Sequence, residues 1–129
     1  VADKTWHKIL LMMKRRPDIG VAAFRDYYET KHAPFCAQWS NPRSRYIRRY
    51  LDPQPHPETG LNEPAFDVIT ELWFEDPADH QRTLAYITTT IMPDAVVEDE
   101  KNLFDRSSFR IMTVTECETD PGDLGRKPT

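Results

Sequence analysis

Residues 66–74 (FDVITELWF) put β-branched or aromatic side chains at most positions of an extended run, and this stretch constrains the fold more than any other. With Pro77 just beyond it, the run reads as a strand. Alternation sorts it into Phe66, Val68, Thr70, Leu72 and Phe74 on one side, and Asp67, Ile69, Glu71 and Trp73 on the other. The first set calls for cover by helices, while the second mixes apolar bulk with two carboxylates. Residues 5–14 (TWHKILLMMK) are also apolar on both sides, which is the pattern of a central strand. A sheet built around these two runs has two faces to protect from water.

The remaining elements follow from turn and helix signals. Pro17 stops the first strand, and a helix is expected from Asp18 or Gly20, with Val21, Phe24, Tyr28 and His32 at steps of three or four. It should end near Pro34, because a residue before proline is pushed out of the α region. Residues 45–51 (RYIRRYL), bounded by Asn41-Pro42 and Asp52-Pro53, read as a second strand. Residues 52–65 hold prolines 53, 55, 57 and 64 and are expected to be irregular, as a functional loop, a lid or a disordered stretch. A helix over 78–86, a helical stretch over 92–104 interrupted by Pro93, and a last strand over 109–118 complete the chain.

The order β-α-β-β-α-β is the ferredoxin-like α+β plan, a sandwich with a four-stranded antiparallel sheet. One domain over residues 1–118 is expected, with a flexible tail over 119–129. Helices on one face alone leave Ile69 and Trp73 wet, at about 25 cal/mol per Å² of apolar surface. A second copy meeting the same patch about a two-fold axis is the simplest cover, so a homodimer is expected.

Composition excludes several classes. A formal net charge of −4, from 17 basic and 21 acidic residues mixed along 129, argues against a nucleic-acid partner. The basic spots at residues 14–16 and 43–49 are short and read as solvated strand ends. No apolar run approaches a bilayer span, so no membrane partner is expected. Cys36 and Cys117 show neither zinc spacing nor a disulfide framework, and residues 1–6 lack the features of a secretory signal. Reduced thiols and a cytoplasmic location are the expectation. No two histidines stand three or four apart, and Glu29 three before His32 is isolated, so neither a metal nor an organic cofactor is expected.

Residues 24–34 (FRDYYETKHAP) resemble the signature of the EthD family, a branch of the dimeric α/β-barrel superfamily, in which a helix carries Phe, two aromatics and then His-Ala-Pro. The stretches ILLMMKRRPDIGVAAF, FDVITELWFED and EDEKNLFD are similar to further parts of that family, so the resemblance spans about residues 6–117. Two features depart from it: Tyr28 stands where relatives usually have Trp, and the loop over 52–65 is longer and richer in proline. The resemblance implies a barrel formed by two sheets, with a pocket in each subunit between sheet and helices. It also implies kinship with polyketide-tailoring dehydratases and decarboxylases, lactone isomerases and cofactor-free oxygenases. A fold that hosts so many chemistries points to a site better than to a reaction.

Within that frame His32 is the candidate general base or acid, since an imidazole exchanges protons near neutral pH; the alternative is a helix-terminal histidine bonded to the last carbonyls. Tyr28, one turn before it, either orients the ring, bonds a substrate carbonyl or packs in the core. Glu71 and Asp67 are candidates to hold a base or an ordered water, or to end in salt bridges with cations such as Lys8 or Arg48. Met12, Phe35, Trp39, Tyr46, Trp73 and Phe104 are candidate walls, with Asp105 at the rim. The expected function is a cofactor-independent enzyme acting by proton transfer on a hydrophobic cyclic or aromatic small molecule, as a lyase, dehydratase, cyclase or isomerase. A cofactor-free monooxygenase of an anthrone or phenol, and a dimer that only binds a small ligand, are the alternatives.

Overall fold

The two doubly apolar runs become the inner strands of the sheet. In the computed structural model, which describes residues 4–124, the order is β1 (His7–Arg15), α1 (Val21–Tyr27), a π-helical turn (Tyr28–His32), α2 (Ala33–Ala37), β2 (Arg45–Tyr50) and β3 (Val68–Phe74). α3 (Pro77–Thr89), α4 (Asp94–Lys101), β4 (Phe104–Thr113) and α5 (Pro121–Leu124) follow. The four strands are antiparallel in the order β2-β3-β1-β4, the ferredoxin-like arrangement.

Register fixes which side chains share a face. Ile9 faces Leu72, Leu11 faces Thr70 and Met13 faces Val68, while Tyr46, Arg48 and Tyr50 of β2 continue those three rows. The opposite face carries Lys8 with Trp73, Leu10 with Glu71 and Met12 with Ile69, extended by Arg45, Ile47 and Arg49. A slip of one residue would exchange the two sets, so burial of the first set against the helices holds the register. The core contains Met13, Phe24, Tyr28, Val68, Leu103 and Phe104, with the Phe104 ring 5.7 Å from Phe24 and 5.6 Å from Tyr28 in edge-to-face contacts.

Several boundaries differ from those the sequence predicts. The first helix does not stop before Pro34. The backbone opens into a wider turn in which the N–H of Ala33 reaches the carbonyl of Tyr28, five residues back, and Pro34 then sits in the first turn of α2. A proline inside an α-helix lacks a donor and collides with the carbonyl four residues earlier; the wide turn takes up both problems. Val21, expected on the core side, is 44% exposed.

The final strand begins at Phe104 rather than 109 and ends at Thr113 rather than 118. Ser107 and Ser108 look like turn formers, but they sit in an irregularity of the β1–β4 pairing, where the Ser108 hydroxyl accepts from the backbone N–H of Lys14. α4 is correspondingly shorter than the stretch 92–104, since Leu103 and Phe104 leave it to enter the core. α3 runs on to Thr89 from a Pro77 start, with Asp76 capping the N–H of Ala78 at 2.8 Å.

Residues 52–65 form no helix or strand and are exposed except for Pro64, closed on themselves by bonds between His56 and Leu61 and by Gly60 at φ 68. In the tail expected to be flexible, α5 is a short helix, and residues 125–129 lie outside the described residues, as do residues 1–3 of the start. Among the described residues no helix is long and apolar enough to cross a membrane.

Candidate functional site

The wide turn has a direct effect on the site. Phe24, Tyr28, His32 and Cys36 stand at steps of four, and on an uninterrupted α-helix each step would drift about 40° around the axis. Widening one turn absorbs much of that drift, so Phe24, Tyr28 and His32 are all buried and Tyr28, His32 and Cys36 all face one cleft. The cleft, about 720 Å³, lies between the helix-covered sheet face and α3 and α4. Its walls are mainly apolar, with Leu11, Met13 and Leu72 from the sheet and Ile87 and Val96 from the helices.

His32 is 5% exposed, and its Nδ1 lies 2.6 Å from Oδ2 of Asp99 on α4. An ionised carboxylate can only accept, so Nδ1 carries the proton and donates, which leaves the lone pair on Nε2. Oδ1 of Asp99 accepts from the Tyr27 hydroxyl at 2.7 Å, and that hydroxyl accepts from Asn102 Nδ2 at 3.1 Å. The imidazole is thus oriented through a chain anchored on two helices. Burial lowers the His32 pKa from its ordinary 6.5 against the opposing pull of Asp99, so the ring is neutral at pH 7 and able to accept a proton.

Neighbouring groups stay protonated. Cys36 Sγ is 3.5 Å from His32 Nε2, and burial, followed by the charges of Glu100 and Asp99, pushes the thiol up to about 12. The Tyr28 hydroxyl lies 2.5 Å from Thr70 Oγ1 and 3.2 Å from the Tyr46 hydroxyl; burial pushes Tyr28 up to about 12 and Tyr46 further in the same direction. These groups donate to a ligand or to one another. Glu100, on the helix turn after Val96, also faces the cleft, and burial raises it to about 7.

Of the residues singled out from sequence, His32, Tyr28, Tyr46, Trp39 and Phe104 line the cleft. Phe35 does not line it but stacks edge-on against Trp39 at 4.9 Å. Glu71, Met12 and Trp73 are on the opposite side of the sheet, because residues 69, 71 and 73 alternate with 68, 70 and 72 and the helices cover only the latter set. Glu71 there accepts from Arg49 and, at 2.9 Å, from the Trp73 indole. Asp67 is likewise outside the cleft, accepting from the backbone N–H of Arg15 at 2.8 Å. Asp105, at the start of β4, does not line the cleft; its carboxylate accepts from Ser107 N and Oγ at 3.1 and 2.5 Å.

Sequence reasoning missed Asp99, Glu100, Cys36 and Thr70. Signals existed for three of them: Thr70 is the one polar residue on an otherwise apolar strand side, Cys36 stands four after His32, and Glu100 four after Val96. Asp99 sits in a run, Glu98-Asp99-Glu100, that reads as a solvated helix face. Among the described residues no group of three or more His, Cys, Asp or Glu has an arrangement that could hold a metal ion.

The model of a family described as EthD domain matches residues 16–107. Among solved structures, an ethyl tert-butyl ether D (EthD) family protein from Bacillus halodurans C-125 is similar at a TM-score of 0.56 and 19% identity, over 88% of this chain and 100% of that one. No curated protein matches the chain at a significant level.

Proposed function

The chain belongs to the EthD domain family, and on that premise we propose that it is a cofactor-independent enzyme that binds a hydrophobic cyclic or aromatic molecule in the cleft and moves a proton with His32. The observation that carries this reading is the 2.6 Å bond from Nδ1 of His32 to Asp99, which leaves Nε2 unprotonated on the wall of an apolar cleft, with the Cys36 thiol 3.5 Å away as its one neighbour among the hydrogen bonds of the described residues. A neutral imidazole takes a proton from an acidified C–H bond, and the resulting imidazolium is stabilised by the Asp99 carboxylate. Returning that proton to a leaving group gives a lyase or dehydratase, and returning it to another carbon gives an isomerase. Tyr28, Tyr46 and Thr70 serve as hydroxyl donors to ligand oxygens, and Trp39 and Phe104 as walls.

Replacing His32 with Gln should leave the circular-dichroism spectrum unchanged and cut turnover of polyketide-like ring substrates by about 10²-fold. Unchanged turnover would refute the assignment, and oxygen uptake during turnover would move it to a monooxygenase. We also propose a homodimer in which a second copy covers the open face, where Leu10, Met12, Ile69 and Trp73 are only partly buried and Met112 is 45% exposed. Sedimentation equilibrium at micromolar concentration should give twice the chain mass.

A further inference from the structure

Glu100 lines the cleft but has no part in the proton transfer proposed for His32. It is 7% exposed, and among the described residues its carboxyl takes part in no hydrogen bond. Oε1 is enclosed without a partner, and the nearest cation, Arg106 Nε, stays 3.7 Å away. A buried polar group left unsatisfied is destabilising, and natural proteins hold few of them. Packing does not require one here, since Val96 on the same helix face is apolar.

We propose that Glu100 is a second catalytic residue, an acid that donates its proton to the carbonyl oxygen of a bound cyclic ketone while Nε2 of His32 removes the neighbouring C–H proton. The substrate class is then an enolisable ring ketone, and the inference rests on the reading of His32 as base. In the step, the C–H electron pair becomes a carbon–carbon double bond and the carbonyl π pair moves to oxygen, which takes the proton of Glu100. The products are a neutral enol, an imidazolium paired with Asp99 and a Glu100 carboxylate facing Arg106. When the enol collapses its O–H proton returns to Glu100, and the imidazolium gives its proton to another carbon or to a departing hydroxide as water.

Protonation states agree with these roles. Burial raises Glu100 to about 7 against the pull of Arg106, with Asp99 adding to the rise, so the acid form is present up to neutrality. The other titratable groups near it are Cys36 and His32 from α2 and the wide turn; Asp79 and Arg82 of α3 and Arg110 of β4 line the same cleft. His32 is neutral above its lowered pKa, so activity should be bell-shaped, with the alkaline limb set by Glu100.

The test uses the full chain and 2-tetralone, following deuterium exchange at its α carbon in D₂O by proton magnetic resonance. The wild type should accelerate exchange with an alkaline limb near 7. Glu100→Gln, similar in shape and still a donor but unable to release a proton, should lose about 10²-fold and the alkaline limb, while 2-tetralone binding by tryptophan quenching stays within about threefold. If Glu100→Gln keeps rate and limb while His32→Gln loses exchange, the acid assignment falls and the base reading stands. If His32→Gln keeps exchange, the base reading falls and this inference with it. No exchange by the wild type would overturn the ketone class.

Discussion

Two glutamates lie on opposite sides of the sheet system, almost equally shielded from solvent, and are held in opposite states. Glu71, on the open face, is 8% exposed; burial pushes its pKa up, but bonds from Trp73 and Arg49 and the charges of Arg49 and Lys8 outweigh that, and it is held below the ordinary carboxylate range. Glu100, facing the cleft, is 7% exposed with no bonded partner, and there burial prevails. Surface exposure alone therefore does not decide the state of a carboxyl in this fold: Glu100 lies deeper in the protein, while Glu71 has donors around it. The open face is electrically settled, with Lys8 3.9 Å above the Trp73 ring and Arg45 4.8 Å from it, whereas the cleft keeps one carboxyl unanswered.

The contrast breaks most visibly at Asp99, whose carboxylate is held by His32 and Tyr27. Asp99→Asn should lower turnover by about 10²-fold, comparable with loss of the base itself. It should also move the acid limb of the pH profile downward, since the Asp99 charge raises the His32 pKa and its removal leaves burial to act alone. A profile unchanged in position would show that Asp99 does not tune the ring.

A smaller effect concerns stability. Because the folded pKa of Glu100 is raised, the native state loses stability as pH rises from the unfolded value of 4.5 through about 7. Glu100→Gln removes the ionisation, so urea unfolding should find it about 1–3 kcal/mol more stable than wild type at pH 8 and nearly equal at pH 4.5. An equal gap at both pH values would mean that shape and not charge is responsible.

Glu71 has the opposite sign. Its folded pKa is lowered, so its contribution is present above 4.5 and disappears as pH falls through the folded value. Glu71→Gln should cost about 1–2 kcal/mol at pH 7 and less in acid, read by the same unfolding series. Smallest of all, Arg49→Ala should cost under about 1 kcal/mol and less in high salt, because the Arg49 side chain is 53% exposed. A larger, salt-independent loss would show that Glu71 depends on Arg49 more than on the Trp73 indole.

The same contrast explains what could be read in the chain beforehand. Strands at 5–14 and 66–74, the helix carrying His32 and the ferredoxin-like order follow from alternation and from Pro and Gly punctuation, which are local signals. The cleft side of β3 was legible for the same reason, since Phe66, Val68, Thr70, Leu72 and Phe74 mark it by period alone. What was not legible depends on distant pairing. Asp99 meets His32 across 67 positions of sequence, and nothing in Glu98-Asp99-Glu100 distinguishes a carboxylate that meets an imidazole from one that meets water. Assigning Glu71 to the site followed chemical type rather than parity, and parity prevails because a strand residue cannot change sides without moving all its neighbours. The last strand starts at Phe104 and not at Phe109 because an irregularity in its pairing with β1 accommodates Ser107 and Ser108.

Anyone transplanting this histidine to a designed scaffold will find that the side chains alone do not carry its aim. Four residues at steps of four align only where the ladder of carbonyls is locally re-spaced, and Pro34 keeps the ladder from snapping back to the ordinary pitch. The portable unit is thus a piece of backbone with its proline.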